Sequence, residues 1–311
     1  MKSQFTKKRV SAILIALFAL SFFSSCQLID FEGGGYGSTP DTATKNKLDL
    51  ILKEFTRTEE VKDGEAHRDL FLSSSSKVNF ILKNYGSPML IPFSRDQWIG
   101  YFTSWDYDYY PVYGNDKYYI ERGVAINQHD FRGYKNEQED IYGTDLFMFV
   151  DTQEGWEILS LSATVVNPDD KRDYSSLSIN SSPESAFKAF EKGINEKDSN
   201  AYESAFTSTN VPCFRIRGKL KEAYSDDLHS ASAFYGSIPE NVSNLKIKLE
   251  DVNIDIHDQL TAVASSEYTI TKDGIKVEKG NMLATMVATP DMGWKISSMV
   301  FSISMQARSI K

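Results

Sequence analysis

Cysteine is scarce. Only Cys26 and Cys213 occur in 311 residues, which excludes a disulfide-stapled scaffold and any Cys-x-x-Cys metal or redox motif. Histidine is scarce too. The four stand at positions 67, 129, 229 and 257, with no His-x-His and no His-Glu-x-x-His spacing, so neither a metal nor another cofactor is expected. Gly-x-Ser-x-Gly and phosphate-cradling glycine loops are missing. Basic residues are in deficit: 34 Lys and Arg against 43 Asp and Glu give a net charge of −9. That removes the electrostatic footprint of a nucleic-acid binder, and no nucleic-acid partner is expected. The N-terminal apolar run, Val10 to Phe23, is broken by Ser11 and Ser21. It falls short of the roughly 17–25 residues that span a bilayer. The rest is globular in composition, 41% hydrophobic and 25% charged, which argues against disorder.

Lys2, Lys7, Lys8 and Arg9 precede the apolar run, and Phe23-Ser24-Ser25-Cys26 follows it. A basic start, a short apolar stretch and small residues are the layout of a secretory signal. The segment resembles a bacterial lipobox, with Phe where Leu is commoner. That resemblance implies cleavage before Cys26 and a diacylglycerol thioether on its sulfur, so residues 1–25 are the signal peptide. The alternatives are a cleaved secretion signal with an incidental cysteine, and an uncleaved anchor. Each buried methylene contributes about 0.8 kcal/mol, so two or three acyl chains on Cys26 hold a protein durably at a membrane. Gln27 in place of an Asp favours the outer membrane, by analogy with lipoprotein sorting. Asp30 and Glu32 resemble, loosely, a surface-export signal, and which face the protein occupies stays open. Residues 26–45, rich in Gly, Ser and Thr, read as a flexible tether reaching about 20 Å. Cys213, in Val211-Pro212-Cys213-Phe214, reads as a buried, inert thiol.

The remaining chain is a duplication. With a shift of 135 residues, Leu52 meets Phe187, Phe55 meets Phe190, Asp63 meets Asp198, Ala66 meets Ala201 and Phe71 meets Phe206. With a shift of 138, Gly155-Trp156 meets Gly293-Trp294, Ile158 meets Ile296 and Leu161 meets Met299. A repeat this long is a domain duplication rather than a solenoid. Leu48, Ile51, Leu52 and Phe55 recur at helical spacing, as do Ala186, Phe187, Phe190 and Ile194 after Ser182-Pro183. Asp63 and Asp198 each precede a second short helix; capping explains both more simply than a pair of catalytic acids. Strands follow. Leu245, Ile247 and Leu249 alternate with charged residues, Asp273-Gly274 marks a hairpin, and Trp294 to Met305 closes the meander. The apolar parity changes near Ser160 and Ser298, which predicts a β-bulge or a strand buried on both faces.

Helix, short helix and a curved meander ending in Gly-Trp-x-Ile resemble the NTF2-like superfamily, the cone fold of SnoaL-like proteins and ketosteroid isomerase. Ser182-Pro183-Glu184-Ser185-Ala186-Phe187, Asp198-x-x-Ala201-Tyr202 and Gly293-Trp294-Lys295-Ile296 carry it best. The resemblance implies an α+β protein of two tandem cones, each an N-terminal helix pair on a curved antiparallel sheet. The first domain is placed at 46–166, a linker at 167–181 and the second domain at 182–311. NTF2-like domains often dimerise through their sheets, so a monomer with an intrachain pseudo-dimer is expected.

The fold implies a pocket in each cone, but no family catalytic motif maps onto this chain. The four histidines read as satisfied core or surface residues. One stretch stands out: Tyr101 to Tyr119 holds nine aromatics, and its counterpart Pro239 to His257 holds none. Trp105, Tyr107, Tyr109, Tyr110 and Tyr113 are the candidate binding residues, interleaved with Asp106, Asp108 and Asp116. Stacking faces beside acceptors suit a small molecule, a glycan, a cation or an envelope-protein partner; cross-strand aromatic packing is the plainer alternative. Two functions are carried forward. A non-catalytic binding or interaction module expects no buried acid–base pair in either cone. A SnoaL-like isomerase, dehydratase or hydrolase of a small apolar molecule expects a carboxylate or histidine deep in one, with a displaced pKa.

Overall fold

The computed structural model describes residues 28–30, 42–83, 87–152, 154–170, 177–220, 223–236 and 244–307. The signal segment and Cys26 lie outside the described residues. Strand β1 (Leu28–Asp30) comes first. The first unit then runs α1 (Thr42–Glu60), α2 (Gly64–Asp69), β2 (Lys77–Leu82), β3 (Met89–Ser94), α3 (Arg95–Thr103), β4 (Tyr109–Glu121), β5 (Val124–Lys135), β6 (Gln138–Asp151) and β7 (Trp156–Val165). The second repeats the order with α4 (Pro183–Glu196), α5 (Ser199–Ser204), β8 (Pro212–Leu220), β9 (Ala223–Ser230), α6 (Ala231–Gly236), β10 (Leu245–His257), β11 (Thr261–Lys272), β12 (Ile275–Thr289) and β13 (Gly293–Ala307). No described helix is long and apolar enough to cross a membrane.

The sheets are ordered β3-β2-β7-β6-β5-β4 and β10-β11-β12-β13-β8-β9, with β1 added to β13. The meanders β4–β7 and β10–β13 are antiparallel, and the hairpins β2–β3 and β8–β9 join them through one parallel pairing each, β2 on β7 and β8 on β13. Those hairpins and the helices α3 and α6 are elements that the sequence pattern does not resolve. Helix α1 starts at Thr42, inside the stretch read as tether. Its first turn is polar and mostly exposed, so it carries no apolar signal. Part of the same stretch, Leu28–Asp30, is strand-paired.

Local chemistry accounts for the helix pairs. Asp63 and Asp198 cap α2 and α5, accepting from the Ala66 and Ala201 amides at 3.1 and 3.0 Å, which satisfies donors the first turn leaves orphaned. Helix α4 opens with Pro183 at its first turn and ends on Lys197 in a left-handed conformation. Leu48, Leu52 and Phe55 bury their stripe against Phe147, Phe149 and Leu161. Phe187, Phe190 and Ile194 do so against Met299 and Phe301.

The other faces of the two sheets meet each other. Val124, Ile126, Leu146, Met148 and Val150 share one buried cluster with Phe214, Ile216, Val263, Leu283 and Val300. The register slips at Leu159 in β7 and at Ser297 in β13, the bulges that the parity change implies, and both strands are dry on both faces. Residues meet their own counterparts across this contact. Ser160 Oγ donates to Ser298 Oγ at 2.7 Å and Tyr119 Oη to Asp255 at 2.5 Å, and the strand registers match Ser160 with Ser298 and Tyr119 with Asp255. Lys117 also pairs with Asp255, and Tyr119 Oη lies 3.1 Å from His257 Nε2. Self-complementary contact is the signature of an isologous twofold interface, here folded into one chain.

The duplicates also differ where their first two helices touch. In the first unit His67 is fully buried and its Nδ1 meets Thr58 Oγ1 at 2.8 Å. Burial lowers its pKa to about 3, so it is a neutral core residue. In the second unit the larger Tyr202 replaces His67, and Gly193 replaces Thr58. A Cβ on Gly193 would stand 2.4 Å from the Tyr202 Cβ and 2.6 Å from its Cα and backbone N, so glycine lets α4 approach the α5 backbone closely. Cys213 is buried in the second core, which pushes its thiol pKa well up and keeps it inert.

Gly193→Thr is therefore expected to destabilise the chain by about 1–3 kcal/mol through overpacking. Adding Tyr202→His, which keeps the atoms that clash, should not recover that loss. Chemical denaturation checks both variants, and a double variant restored to wild-type stability would defeat this account of the helix contact.

Candidate functional site

The first cone holds a cavity of about 410 Å³, inside the ~300–1,000 Å³ range of small-molecule sites. Helix α3 and the loop after it supply one wall. Ser94 closes a capping box with Gln97, fixing the helix so that Trp98 and Tyr101 face the hollow. Trp105 packs edge-on to Trp98 (ring centroids 5.9 Å apart) and stacks on Tyr107 at 5.4 Å. Strand alternation supplies the next wall: Tyr109, Pro111 and Tyr113 share one face of β4. The indole N–H of Trp105 is buried without a hydrogen-bond partner, a donor that a ligand oxygen would satisfy, and the indole N–H of Trp98 lies against the Glu59 carboxyl.

Carboxylates stand among these rings. Glu59 is 4% exposed and Asp145 is 6% exposed, and both line the cavity. Glu59 extends the buried stripe of α1, one turn beyond Phe55. Asp145 shares the cone face of β6 with Phe147 and Phe149. Opposite it in the sheet register is His129 of β5, fully buried, with Nε2 3.4 Å from Asp145 and Nδ1 3.4 Å from Asp116. A bulge between Gly114 and Lys117 turns Asp116 toward that ring, and Tyr113 lies against it at 4.2 Å between centroids.

The electrostatics follow from burial. Desolvation, then the nearby Asp145 carboxylate, push the Glu59 pKa well above the ordinary range. Burial raises Asp145 too, with His129 opposing it. For His129, burial is the largest single effect and lowers the pKa, but Asp116 and Asp145 together leave it raised. Tyr109 and Tyr113 are pushed well up by burial, then by Glu59 and Asp145. The cluster thus offers a Glu59 carboxyl biased toward its protonated form, two phenol donors, and a histidine between two aspartates that favour its charged form. These groups can hydrogen-bond, pair with charge or exchange a proton with a molecule seated between the rings. Among the described residues no group of three or more His, Cys, Asp or Glu is arranged to hold a metal ion.

Of the candidate residues, Trp105, Tyr107, Tyr109 and Tyr113 are brought together around the cavity. Tyr110 points to the opposite face of β4 and stacks on Tyr134 at 5.0 Å, so it is not part of the site. Cys26 lies outside the described residues. Of the histidines, His67 is a core residue and His257 lies at the contact between the units, but His129 belongs to the cluster. Sequence reasoning missed Glu59, His129, Asp140 and Asp145. Glu59 carried a signal: a carboxylate continuing the stripe Leu48, Leu52, Phe55. Asp145 carried another, as the acid that continues an alternate row with Phe147 and Phe149.

The second cone lacks this cluster. Ile194 stands 135 residues after Glu59. Asp145 pairs with Ala163 as Met282 pairs with Phe301, so Met282 replaces Asp145. Ser266, opposite Met282, replaces His129. Arg215 occupies the position of Phe80 and forms a buried ion pair with Glu278, which also accepts from Tyr268 Oη at 2.9 Å. The cone that resembles the family best in sequence is thus the one without the cluster.

No family model matches the chain, and no curated protein does. Solved structures similar to it are NTF2-like and cystatin-like cone folds. One, a protein of unknown function with a cystatin-like fold from Nostoc punctiforme, is 10% identical and matches 42% of this chain and 96% of its own, with a TM-score of 0.34. An NTF2-like protein from Cytophaga hutchinsonii is 14% identical over 39% of this chain and 96% of its own, TM-score 0.32. A candidate dehydratase of the NTF2-like family from Streptomyces avermitilis is 14% identical over 40% and 97%, TM-score 0.33. Each spans about the length of one unit.

Glu59 makes stability depend on pH. Its folded pKa is raised, so its favourable contribution is complete below the unfolded value near 4.5. It is lost as pH rises toward the folded pKa, at about 1.4 kcal/mol per pH unit within that window. Glu59→Gln removes the ionisation. The variant should match the wild type near pH 4 and exceed it by about 1 kcal/mol or more at pH 8. A stability difference that stays flat from pH 4 to 8, by thermal unfolding, would mean that Glu59 is not held protonated.

Proposed function

We propose that the first unit is the working part of an envelope-anchored lipoprotein, and that its cone binds a small molecule with a flat, largely apolar body. The observation that carries this reading is the cavity itself. Its walls are Trp98, Trp105, Tyr107 and Tyr109, and buried carboxylates face its interior. Aromatic walls give contact area, and a few polar groups fix orientation. The second unit, neutral at the matching positions, braces the first. Cys26 carries the lipid, residues beyond it set the cone off the outer membrane, and the chain is a monomer because its two sheets already cover each other.

A second reading is an acid–base enzyme acting on the same molecule. The specific observation in its favour is the raised Glu59 carboxyl beside Tyr109, Tyr113 and the Asp145–His129 pair. A non-catalytic module has no need of such a buried set, so the cluster weighs toward chemistry more than the sequence did. In this reading Glu59 donates a proton to a ligand oxygen and Asp145, poised by His129, takes one from carbon or water.

N-phenyl-1-naphthylamine, uncharged and bright only in apolar surroundings, tests uptake. The full chain in detergent below its micellar concentration should bind it saturably. Trp105→Ala with Tyr107→Ala should weaken binding about tenfold or more. Failure of the wild-type chain to bind would end the small-molecule reading. For the anchor and the assembly, a Cys26→Ala chain should lose incorporation of labelled palmitate. Sedimentation of that soluble variant should give the mass of one chain, and twice that mass would contradict the monomer.

A further inference from the structure

We propose that the ligand of the first cone is an aromatic organic cation, an amine on a flat apolar body, whose ammonium pairs with Glu59. This rests on the reading of the cone as a small-molecule site. Three observations carry it. Among the described residues, the charged ones lining the cavity are Glu59, Asp140 and Asp145, all acids, and no Lys or Arg lines it. The walls are aromatic rings, whose π-faces carry negative potential. The chain already places a cation on one of these rings: the Lys135 ammonium stands 3.8 Å from the centroid of Tyr107.

Glu59 is the unspent charge of the set. Asp145 has His129 as its counter-ion. Glu59 makes no ion pair among the described residues, although it is almost fully buried. The groups facing it are Asp145 on β6, with His129 behind it on β5, Tyr109 and Tyr113 on β4, Glu60 beside it on α1, and the indole N–H of Trp98 on α3, which favours the ionised form. His129 is the only base among them, and it is already held between two aspartates. A buried carboxyl with no counter-ion keeps its proton. An ammonium arriving opposite supplies the missing charge, so Glu59 gives its proton to solvent and the pair forms in a dry site where it is strong. An anion meets three acids in the same space.

Binding therefore releases a proton. It strengthens as pH rises toward the folded pKa of Glu59, until the ammonium of the ligand itself titrates near pH 10. Three indoles of similar size separate charge from shape: tryptamine as the cation, 3-propylindole as the neutral form and indole-3-propionate as the anion. By calorimetry on the full chain at pH 7, tryptamine should bind about tenfold or more tighter than 3-propylindole, and indole-3-propionate weakest. The tryptamine enthalpy should be more favourable in Tris than in phosphate, because Tris takes up the released proton with heat. Glu59→Gln should abolish the difference between buffers and bring tryptamine to within about threefold of 3-propylindole.

Equal affinities for tryptamine and 3-propylindole would overturn the cation inference and leave the cavity standing. Tight tryptamine binding without proton release would overturn the pairing with Glu59. If none of the indoles binds and N-phenyl-1-naphthylamine does not either, the small-molecule reading falls with it.

Discussion

A β-strand that is dry on both faces has nowhere to place a charge at low cost, and the contact between the two sheets creates that condition. Leu146, Met148 and Val150 of β6 point into the intersheet cluster, and Phe147 and Phe149 point into the cone. Asp145, on the same strand, must then be buried on one side or the other. It faces the cone, where His129 stands opposite in the register. Leaving one buried carboxylate without a partner costs several kcal/mol, so the strand that carries Asp145 needs a histidine on its neighbour. The acid–base cluster follows from a sheet that has no wet face.

The same contact explains how two copies of one fold can differ so much inside. The counterpart pairs Ser160–Ser298 and Tyr119–Asp255 keep the copies in register about their pseudo-twofold axis, with Lys117–Asp255 beside them. With the interface held, each cone is free to change. The second fills its interior with Ile194, Met282 and the Arg215–Glu278 pair. The first keeps a hollow and lines it with rings and acids. The helix contacts differ too: a Thr58–His67 hydrogen bond in the first unit gives way to a close approach of Gly193 to the Tyr202 backbone in the second.

The frame was legible because it is written in period and repetition. Helical stripes, two capping aspartates, hairpin turns and the shifted apolar parity of β7 and β13 are all local. The hairpins β2–β3 and β8–β9 were harder, because they join their sheets through parallel pairing with a strand some eighty residues away, and no local pattern encodes that partner. The aromatic run from Tyr101 to Tyr119 was visible, but its two faces were not. The bulge at Asn115 and Asp116 reverses the parity of β4 partway along. Tyr109 and Tyr113 therefore face the cavity before it, and Tyr118 and Ile120 face the core after it. Tyr110, one residue off, belongs to the other side. Glu59, His129 and Asp145 come together from three separate elements, a juxtaposition that only the folded sheet supplies.

Strand β4 is where the two units and the site meet. Its first half forms a cavity wall with Tyr109 and Tyr113. Its bulge delivers Asp116 to His129 at 3.4 Å. Its second half is tied to the other unit, where Asp255 holds Lys117 and accepts from Tyr119 Oη at 2.5 Å. As the outermost strand of its sheet, β4 would otherwise be the least constrained one, since an edge strand has a ladder on one side only. The second unit supplies the missing constraint from across the sheet face. A cone without a ligand cluster thus has a physical part in the site: it holds fixed the strand on which the other cone's aromatic wall and the partner of its histidine are built.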